Sequence, residues 1–329
     1  MKIFHYSMHN GTASDIRNLC KDCNLEVDTF VVQHRPHSEY VVNSSKAQDI
    51  WESHKCSFLN SDVIIFSDTT PMARSVLQNI RELNKDQNIL IWITNRFNYA
   101  IENDQSYYSL LKEATLDERV FFLYANPFEK ELLSRYGIVP SPDREFMFPP
   151  YGLRNKNDFH HKDTDGDDKL FVMSYENETT KYEVFSKLDK LNINYHRRDG
   201  WVADELFQGP FEIENSSAVF HIPYSYGTIA LWEYMAIGKT FIIPTVDWYD
   251  KYPLWFQNKN RNDISNFSEW YRPETSNLFL QIQELEELPS ILSNKKLLAD
   301  KGRICKEWAQ NNARKTKEIF SSIINRKEN

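Results

Sequence analysis

The chain has four cysteines in 329 residues, at 20, 23, 56 and 305, too few and too scattered for a disulfide framework. Cys20 and Cys23 form CKDC, but no second pair or nearby histidine cluster completes a zinc site, so they read as reduced thiols. No apolar run approaches the length of a membrane span. Basic residues are in deficit: 39 Lys and Arg against 47 Asp and Glu give a net charge of −8, which argues against nucleic acid as a partner. The opening MKIFHYSMHNG lacks the apolar region of a signal peptide and reads as a first strand, so a cytoplasmic location is expected. Without such a signal, the Asn-x-Ser/Thr sequons at Asn10, Asn43, Asn177, Asn215 and Asn266 read as chance occurrences. No G-x-G-x-x-G follows the first strand, which disfavours a dinucleotide-dependent dehydrogenase. Glycine itself is scarce, nine in all, and two of the nine, Gly227 and Gly238, bracket a single short helix.

What is present is ample core material, 41% hydrophobic and 14% aromatic, in a chain long enough for two domains. Short apolar runs alternate with amphipathic stretches. In the first half the runs are KIFHYS (2–7), EVDTFVV (26–32), DVIIFSD (62–68), NILIWIT (88–94) and RVFFLYA (119–125), each followed by a helical pattern, the last closed by Gly137. That rhythm predicts a parallel sheet covered on both faces. The polar run LRNKNDFHHKDTDGDDK (153–169) interrupts it and reads as a linker. Its DTDGDD lacks the distal glutamate of an EF-hand loop and reads as a solvated acidic loop. The alternation then restarts with KLFVMSY (169–175), INYHR (193–197), SAVFHIP (217–223) and TFIIPT (240–245), and a helical tail runs from about Leu280 to Ile324 with no convincing strand. The expectation is α/β: two Rossmann-like lobes facing a cleft. Residues 1–152 form the first, 153–168 the linker and 169–329 the second, with the last helix packing back on the first lobe.

The bracketed helix belongs to YSYGTIALWEYMAIGKTFIIPT (224–245). In open parallel sheets ligands bind outside the carboxyl ends of the strands, where this loop falls. Gly227 would let backbone approach a ligand closely, and Thr228, Ile229 and Ala230 would present helix-start N–H groups suited to a phosphate. Glu233, further in, could accept hydrogen bonds from vicinal hydroxyls of a sugar. The spacing equally fits an ordinary packing unit with Glu233 at the surface.

GTIALWEYMAIGKTFIIPT resembles the donor-binding segment of GT-B glycosyltransferases through Gly227, Glu233, Met235, Ala236, Gly238 and Pro244. Ser225 stands where many retaining members carry a second glutamate, so the resemblance is to the fold generally rather than to that family. It implies a nucleoside-diphosphate sugar as donor, with Glu233 on the ribose, and a glycan or other hydroxyl compound as acceptor. It also implies neutralisation of the leaving group by cationic side chains and helix dipoles, with no essential metal or cofactor. Lys181, Arg197 and Arg198 are the candidate cations, and Tyr175, Tyr224 and Tyr226 could line the donor pocket. On the acceptor side stand His9, Asn10, Asp15, Asp68, Thr69, Asn95 and Arg96. An inverting enzyme would use His9 or Asp68 as base, and a retaining one would use them to orient the sugar. A nucleotide-sugar epimerase of the same fold and a non-catalytic bilobal sugar- or nucleotide-binding protein remain open.

Overall fold

The structure is a computed structural model describing residues 1–32, 37–155, 169–173, 178–197, 209–248 and 260–326, with the side chains at 37–38, 178–181 and 197 outside that description. Two compact units emerge: Met1–Tyr151 with Ala313–Asn329, and Gly152–Asn312.

The first unit is built on β1 (Ile3–Ser7), β2 (Val27–Val31), β3 (Val63–Asp68), β4 (Asn88–Ile93), β5 (Val120–Tyr124) and β6 (Glu145–Met147). Its helices are α1 (Asn10–Asp22), α2 (Ser44–Leu59), α3 (Arg74–Gln78), α4 (Gln105–Ala114) and α5 (Pro127–Arg135). Every strand pairing is parallel, in the order β2-β1-β3-β4-β5-β6. The central strands are apolar on both faces because both are covered. On one face Phe4, Phe66, Ile91 and Phe122 pack with Trp51 and Phe58 of α2 and Tyr107 of α4. On the other, Trp92 donates to the Phe148 carbonyl at 2.9 Å, and Phe148 meets Phe320 at 6.4 Å between ring centroids. β2, at the edge, alternates between half-buried and exposed residues.

The second unit contains β7 (Leu170–Met173), β8 (Tyr195–Arg197), β9 (Ala218–His221), β10 (Phe241–Pro244) and β11 (Leu280–Ile282). Its helices are α6 (Glu178–Lys190), α7 (Ile229–Ala236), α8 (Arg261–Phe267), α9 (Leu288–Ser293) and the first part of α10, which runs from Lys295 to Ile324. The sheet is again all parallel, in the order β11-β10-β9-β7-β8. Numbered within its own sheet, each unit reads 2-1-3-4-5, the first with one further edge strand. The order therefore reverses at β1/β3 in one and at β7/β9 in the other, and such a switch point is where α/β sheets hold ligands.

The α/β plan with a helical C-terminus is as expected, with two corrections. β6 and β11 are strands that the sequence pattern missed, the second inside the tail read as wholly helical. Each has three residues at a sheet edge, too short for a period-2 signal to register. No described helix is long and apolar enough to cross a membrane.

Candidate functional site

In the second unit the switch point is framed by the ends of β7 and β9. His221, the last residue of β9, is fully buried, and its Nδ1 lies 2.9 Å from the Met173 carbonyl at the end of β7. A carbonyl oxygen only accepts, so Nδ1 carries the proton and Nε2 carries the lone pair. That Nε2 has no hydrogen-bond partner among the described residues. Burial lowers the imidazole pKa to about 4, so the ring is neutral at physiological pH. It packs against Trp270 at 4.5 Å and Tyr224 at 5.9 Å between ring centroids.

The chain continues through Tyr224–Thr228 into α7. Thr228 is extended, and its hydroxyl accepts from the Leu231 N–H at 3.2 Å, capping the helix start. Ile229 and Ala230 precede the first backbone donor used inside the helix, so their N–H groups are those a ligand can engage. Gly238, at φ +84°, closes the helix with Lys239 N–H on the Tyr234 carbonyl at 3.0 Å. A methyl group on Gly302 of α10 would stand 2.2 Å from the Gly238 carbonyl, so the turn after α7 packs this closely because Gly302 lacks a side chain.

Glu233 is not at the surface. It is 2% exposed, and Arg154, 1% exposed, holds its Oε1 through Nε at 2.8 Å and through Nη2. The backbone entering this contact lies directly on α7, since a Cβ on Gly152 (φ +70°) would sit 2.8 Å from the Trp232 Cβ. Both contacts with Arg154 fall on one carboxylate oxygen. Arg154 belongs to the stretch read from sequence as linker.

A second acid lies beside the same loop. The Tyr226 carbonyl accepts from the Glu269 N–H at 2.7 Å and from the Ser268 hydroxyl at 3.3 Å. Glu269 is 2% exposed, and Arg272 grips its Oε2 through Nε at 3.1 Å and Nη2 at 2.8 Å. Burial raises the Glu269 carboxyl to about 7, with Arg272 opposing the shift. The neighbouring Tyr271 hydroxyl donates to the Pro244 carbonyl at 2.8 Å, so Ser268–Tyr271 spans the carboxyl ends of β9 and β10.

In the first unit the switch point is a buried relay. His5 Nε2 lies 2.8 Å from the Ser67 hydroxyl, which donates to Ser7 at 3.0 Å, and Ser7 in turn donates to the His9 carbonyl at 2.9 Å. The Thr12 hydroxyl joins at 2.6 Å from Ser7 and donates to the same carbonyl at 2.8 Å. Burial holds His5 neutral, its pKa lowered to about 3. His9 caps α1, its Nδ1 accepting from the Gly11 N–H at 2.9 Å. That bond uses the lone pair a base would need and leaves the proton of the neutral ring on Nε2, so His9 as held here is a donor. Asp68, ending β3, takes φ +77°, a conformation that is strained for a residue with a side chain and concentrates at functional positions.

The other expected acceptor-side residues divide. Asn10 opens α1 beside Arg17, Thr29, Phe30 and Val31, which line a cavity of about 500 Å³ at the end of β2. Thr69 is fully buried, and its hydroxyl has no partner among the described residues. Asn95 accepts from the Arg96 N–H at 2.9 Å, and Arg96 reaches Glu102 at 3.2 Å. Asp15 turns inward instead: buried in α1, it accepts from the Tyr151 N–H at 2.7 Å. Near Arg96 lies Glu129, which no sequence pattern marked and whose carboxyl burial raises to about 8. Of the expected donor cations, Arg198 and the side chains of Lys181 and Arg197 lie outside the described residues, as does Tyr175. Tyr226 is buried. A shallower concavity of about 950 Å³, lined by Tyr182, Phe185, Asp189, Tyr195 and His196, runs along α6 and the edge strand β8, apart from the switch point. Among the described residues no three His, Cys, Asp or Glu side chains gather as a metal site.

Of the residues that matter here, Glu129, Arg154, His221, Glu269 and Arg272 were not singled out from sequence. A charged residue within an aromatic stretch, as in SEWYR (268–272), was the available signal for two of them.

No protein-family profile matches the sequence, and no curated protein does. Among solved structures the chain is similar to the glycotransferase of kitacinnamycin, at a TM-score of 0.55 and 9% identity over 98% of both chains. A periplasmic sugar-binding protein of an ABC sugar transporter from Legionella pneumophila aligns over 76% of this chain and 85% of its own, at 11% identity. Its TM-score of 0.25 carries no argument. The first likeness extends over both units and is a likeness of fold.

Proposed function

We propose that this chain is a GT-B glycosyltransferase that moves a sugar from a nucleoside-diphosphate donor to a hydroxyl acceptor. The observation that carries the reading is the capped start of α7 at the carboxyl edge of the second sheet, flanked by two buried acids that each have an arginine partner. The shared fold with a glycosyltransferase over the whole chain supports it. The first four N–H groups of a helix have no partner within it, and the dipole there favours anions. A diphosphate seated at Ile229 and Ala230 would be stabilised most as charge develops on the leaving oxygen, without an essential metal. Lys181, Arg197 and Arg198 would add positive charge. Glu233 would meet the ribose through Oε2, the oxygen opposite its Arg154 contacts.

The acceptor would be bound by the first unit. Asp68, at the end of β3, is the better base there, because His9 has committed its Nδ1 lone pair to the α1 cap. His9 Nε2–H and Asn95 would hold acceptor oxygens by donating to them, and Arg96 would do the same.

A thermal-shift screen against UDP, GDP, ADP, CMP and their sugar conjugates, with and without Mg²⁺, tests the reading. A ligand that binds only the folded state raises its stability, by about 2.7 kcal/mol at a hundredfold excess over Kd. One nucleoside diphosphate and its sugar conjugate should shift the melting temperature equally in Mg²⁺ and in EDTA, and a hydroxyl acceptor should then release free nucleotide. No shift with any nucleotide overturns the reading, and an epimerised sugar formed without acceptor replaces it with the epimerase.

A further inference from the structure

A concavity of about 950 Å³ runs along α6 and β8, across β7 from the switch point, and its size is that of small-ligand sites, roughly 300–1,000 Å³. The chain builds it on leaving α6. Asn192 takes φ +54° and donates its N–H to the Asp189 carbonyl at 3.0 Å, and the Ile193 N–H reaches the Leu188 carbonyl at 3.1 Å. This turn brings Tyr195 of β8 onto the helix. There its ring stacks on the buried Phe185 at 5.5 Å and 10°, and its hydroxyl donates to Asp189 at 3.1 Å. Those contacts fix the two rings and orient the carboxylate. On α6, Tyr182, Ser186 and Asp189 follow at spacings of four and three, so one helix face carries all three. Tyr182 is 71% exposed and has no hydrogen bond or ring contact among the described residues. The side chains of Ser186, Lys190 and Asn194 are exposed too, and none has a partner among the described residues.

A bare ring beside two fixed ones offers an apolar face to cover. Around it stand an acceptor, Asp189, a donor, Lys190, and two groups that do both, Ser186 and Asn194. A pyranose has the complementary pattern, C–H groups on its faces and hydroxyls round its rim. The charges of Asp189 and Lys190 cancel, and burial lowers the pKa of His196 from 6.5. The described lining is therefore neutral at physiological pH and gives a phosphate or carboxylate no advantage. β8 has three residues, too few for a peptide to be held mainly by strand addition.

We propose that this concavity binds a neutral oligosaccharide, one pyranose ring stacking on Tyr182 while its hydroxyls reach Asp189 and Asn194. The site is separate from the α7 start and independent of the donor reading, whose ligand is anionic.

The test uses the full chain and four neutral trisaccharides, maltotriose, cellotriose, laminaritriose and chitotriose, titrated by saturation-transfer NMR with no nucleotide present. At least one should bind, with transfer strongest to the C–H protons of one ring. In Tyr182→Ala its Kd should weaken about tenfold or more, whereas Tyr182→Phe, which keeps the ring and loses the hydroxyl, should stay within about threefold of wild type. Asn194→Ala should weaken binding by about threefold or more, through the lost hydrogen bonds. Both positions are exposed, and thermal melts of the variants should match wild type. Failure of all four trisaccharides to bind overturns the inference, and so does binding that Tyr182→Ala leaves unchanged. Equal losses in Tyr182→Phe and Tyr182→Ala overturn it as well, because the ring would then not be the platform. A wild type that self-associates in sedimentation velocity, and that Tyr182→Ala turns into a monomer, would give the face to a second copy of the chain and overturn it too.

Discussion

The two units share a strand order and differ in what stands at the point where it reverses. In the first, hydroxyls answer one another: His5, Ser67, Ser7 and Thr12 form a relay that ends on the His9 carbonyl, while His5 Nδ1 and the Thr69 hydroxyl have no partner among the described residues. In the second, Glu233 and Glu269 each give one oxygen to an arginine, and His221 Nε2 has no partner among the described residues. The hydroxyl relay ties β1, β3 and the start of α1 together. Acids held in one orientation by an arginine on a single oxygen are what the proposed donor site would need. The same topology thus carries hydroxyl pairs at one switch point and acid–arginine pairs beside the other, where the proposed function would seat the donor.

The sharpest way to break that comparison is through Arg154 and Glu233. Removing one partner of a buried ion pair leaves the other charge uncompensated, so Glu233→Leu or Arg154→Met alone should cost about 3–5 kcal/mol in urea unfolding. The double substitution should recover most of that loss, because a well-packed apolar pair of similar volume is often neutral. Singles that lose under about 1 kcal/mol would mean the pair is solvated as surface pairs are, and the second unit would not be the strained one. A consequence follows for Glu233→Ala as a probe of donor binding: its fold must be checked first, since it exposes Arg154 to the same penalty.

Two glycines, Gly302 inside α10 and Gly137 after α5, sharpen the contrast at smaller scale. Gly302→Ala would push a methyl group to 2.2 Å from the Gly238 carbonyl, a backbone atom that cannot swing away, and should cost about 1–3 kcal/mol through overpacking of α10 on the α7 turn. Gly137→Ala, after α5 in the first unit, meets only Lys112 at 3.5 Å. Its cost is the φ of +67° alone, about 1 kcal/mol. Thermal melts of both variants rank them. A loss at Gly302 no larger than that at Gly137 would show that the close approach to Gly238 is relieved by a small shift.

Much of the fold was legible because covered parallel strands are apolar throughout: VIIF, NILIWI and VFFLY leave no alternative period. The start and stop of α7 were legible for the same local reason, a capping threonine and a terminal glycine. Partners were not. Arg154 sits in a polar run whose composition reads as solvent-exposed, yet it is buried by an acid 79 residues away. Glu269 reaches the Tyr226 loop through its backbone, which no side-chain pattern records. His9 looked like a base because a histidine ended a strand, and the structure spends its Nδ1 on the helix that follows. Sequence periodicity reports which face of an element is buried, while a site is defined by which elements meet, and that is decided by register and loop path.

A last comparison concerns pH, through the acids Glu129 in the first unit and Glu269 in the second. Both carboxyls are raised by burial from 4.5, Glu129 to about 8 and Glu269 to about 7. Glu269 has an arginine in direct contact, whereas Glu129 has Arg96 only at a distance and the Asn126 side chain beside it. Between 4.5 and about 8 the folded protein keeps the Glu129 proton that the unfolded chain has released. Stability linked to Glu129 is therefore full below about 4.5 and is lost as pH rises towards about 8, with a slope of at most ~1.4 kcal/mol per pH unit. Glu129→Gln, which cannot ionise, should match wild type near pH 5 and exceed it by a growing margin up to pH 8 in urea unfolding. Glu269→Gln should show the same sign over a narrower range, closing near pH 7, with the gain offset in part by the loss of the Arg272 contact. If the two variants gave parallel curves, the direct arginine would count for nothing. The distinction between an acid stored in a core and one held ready at a site would then fall with it.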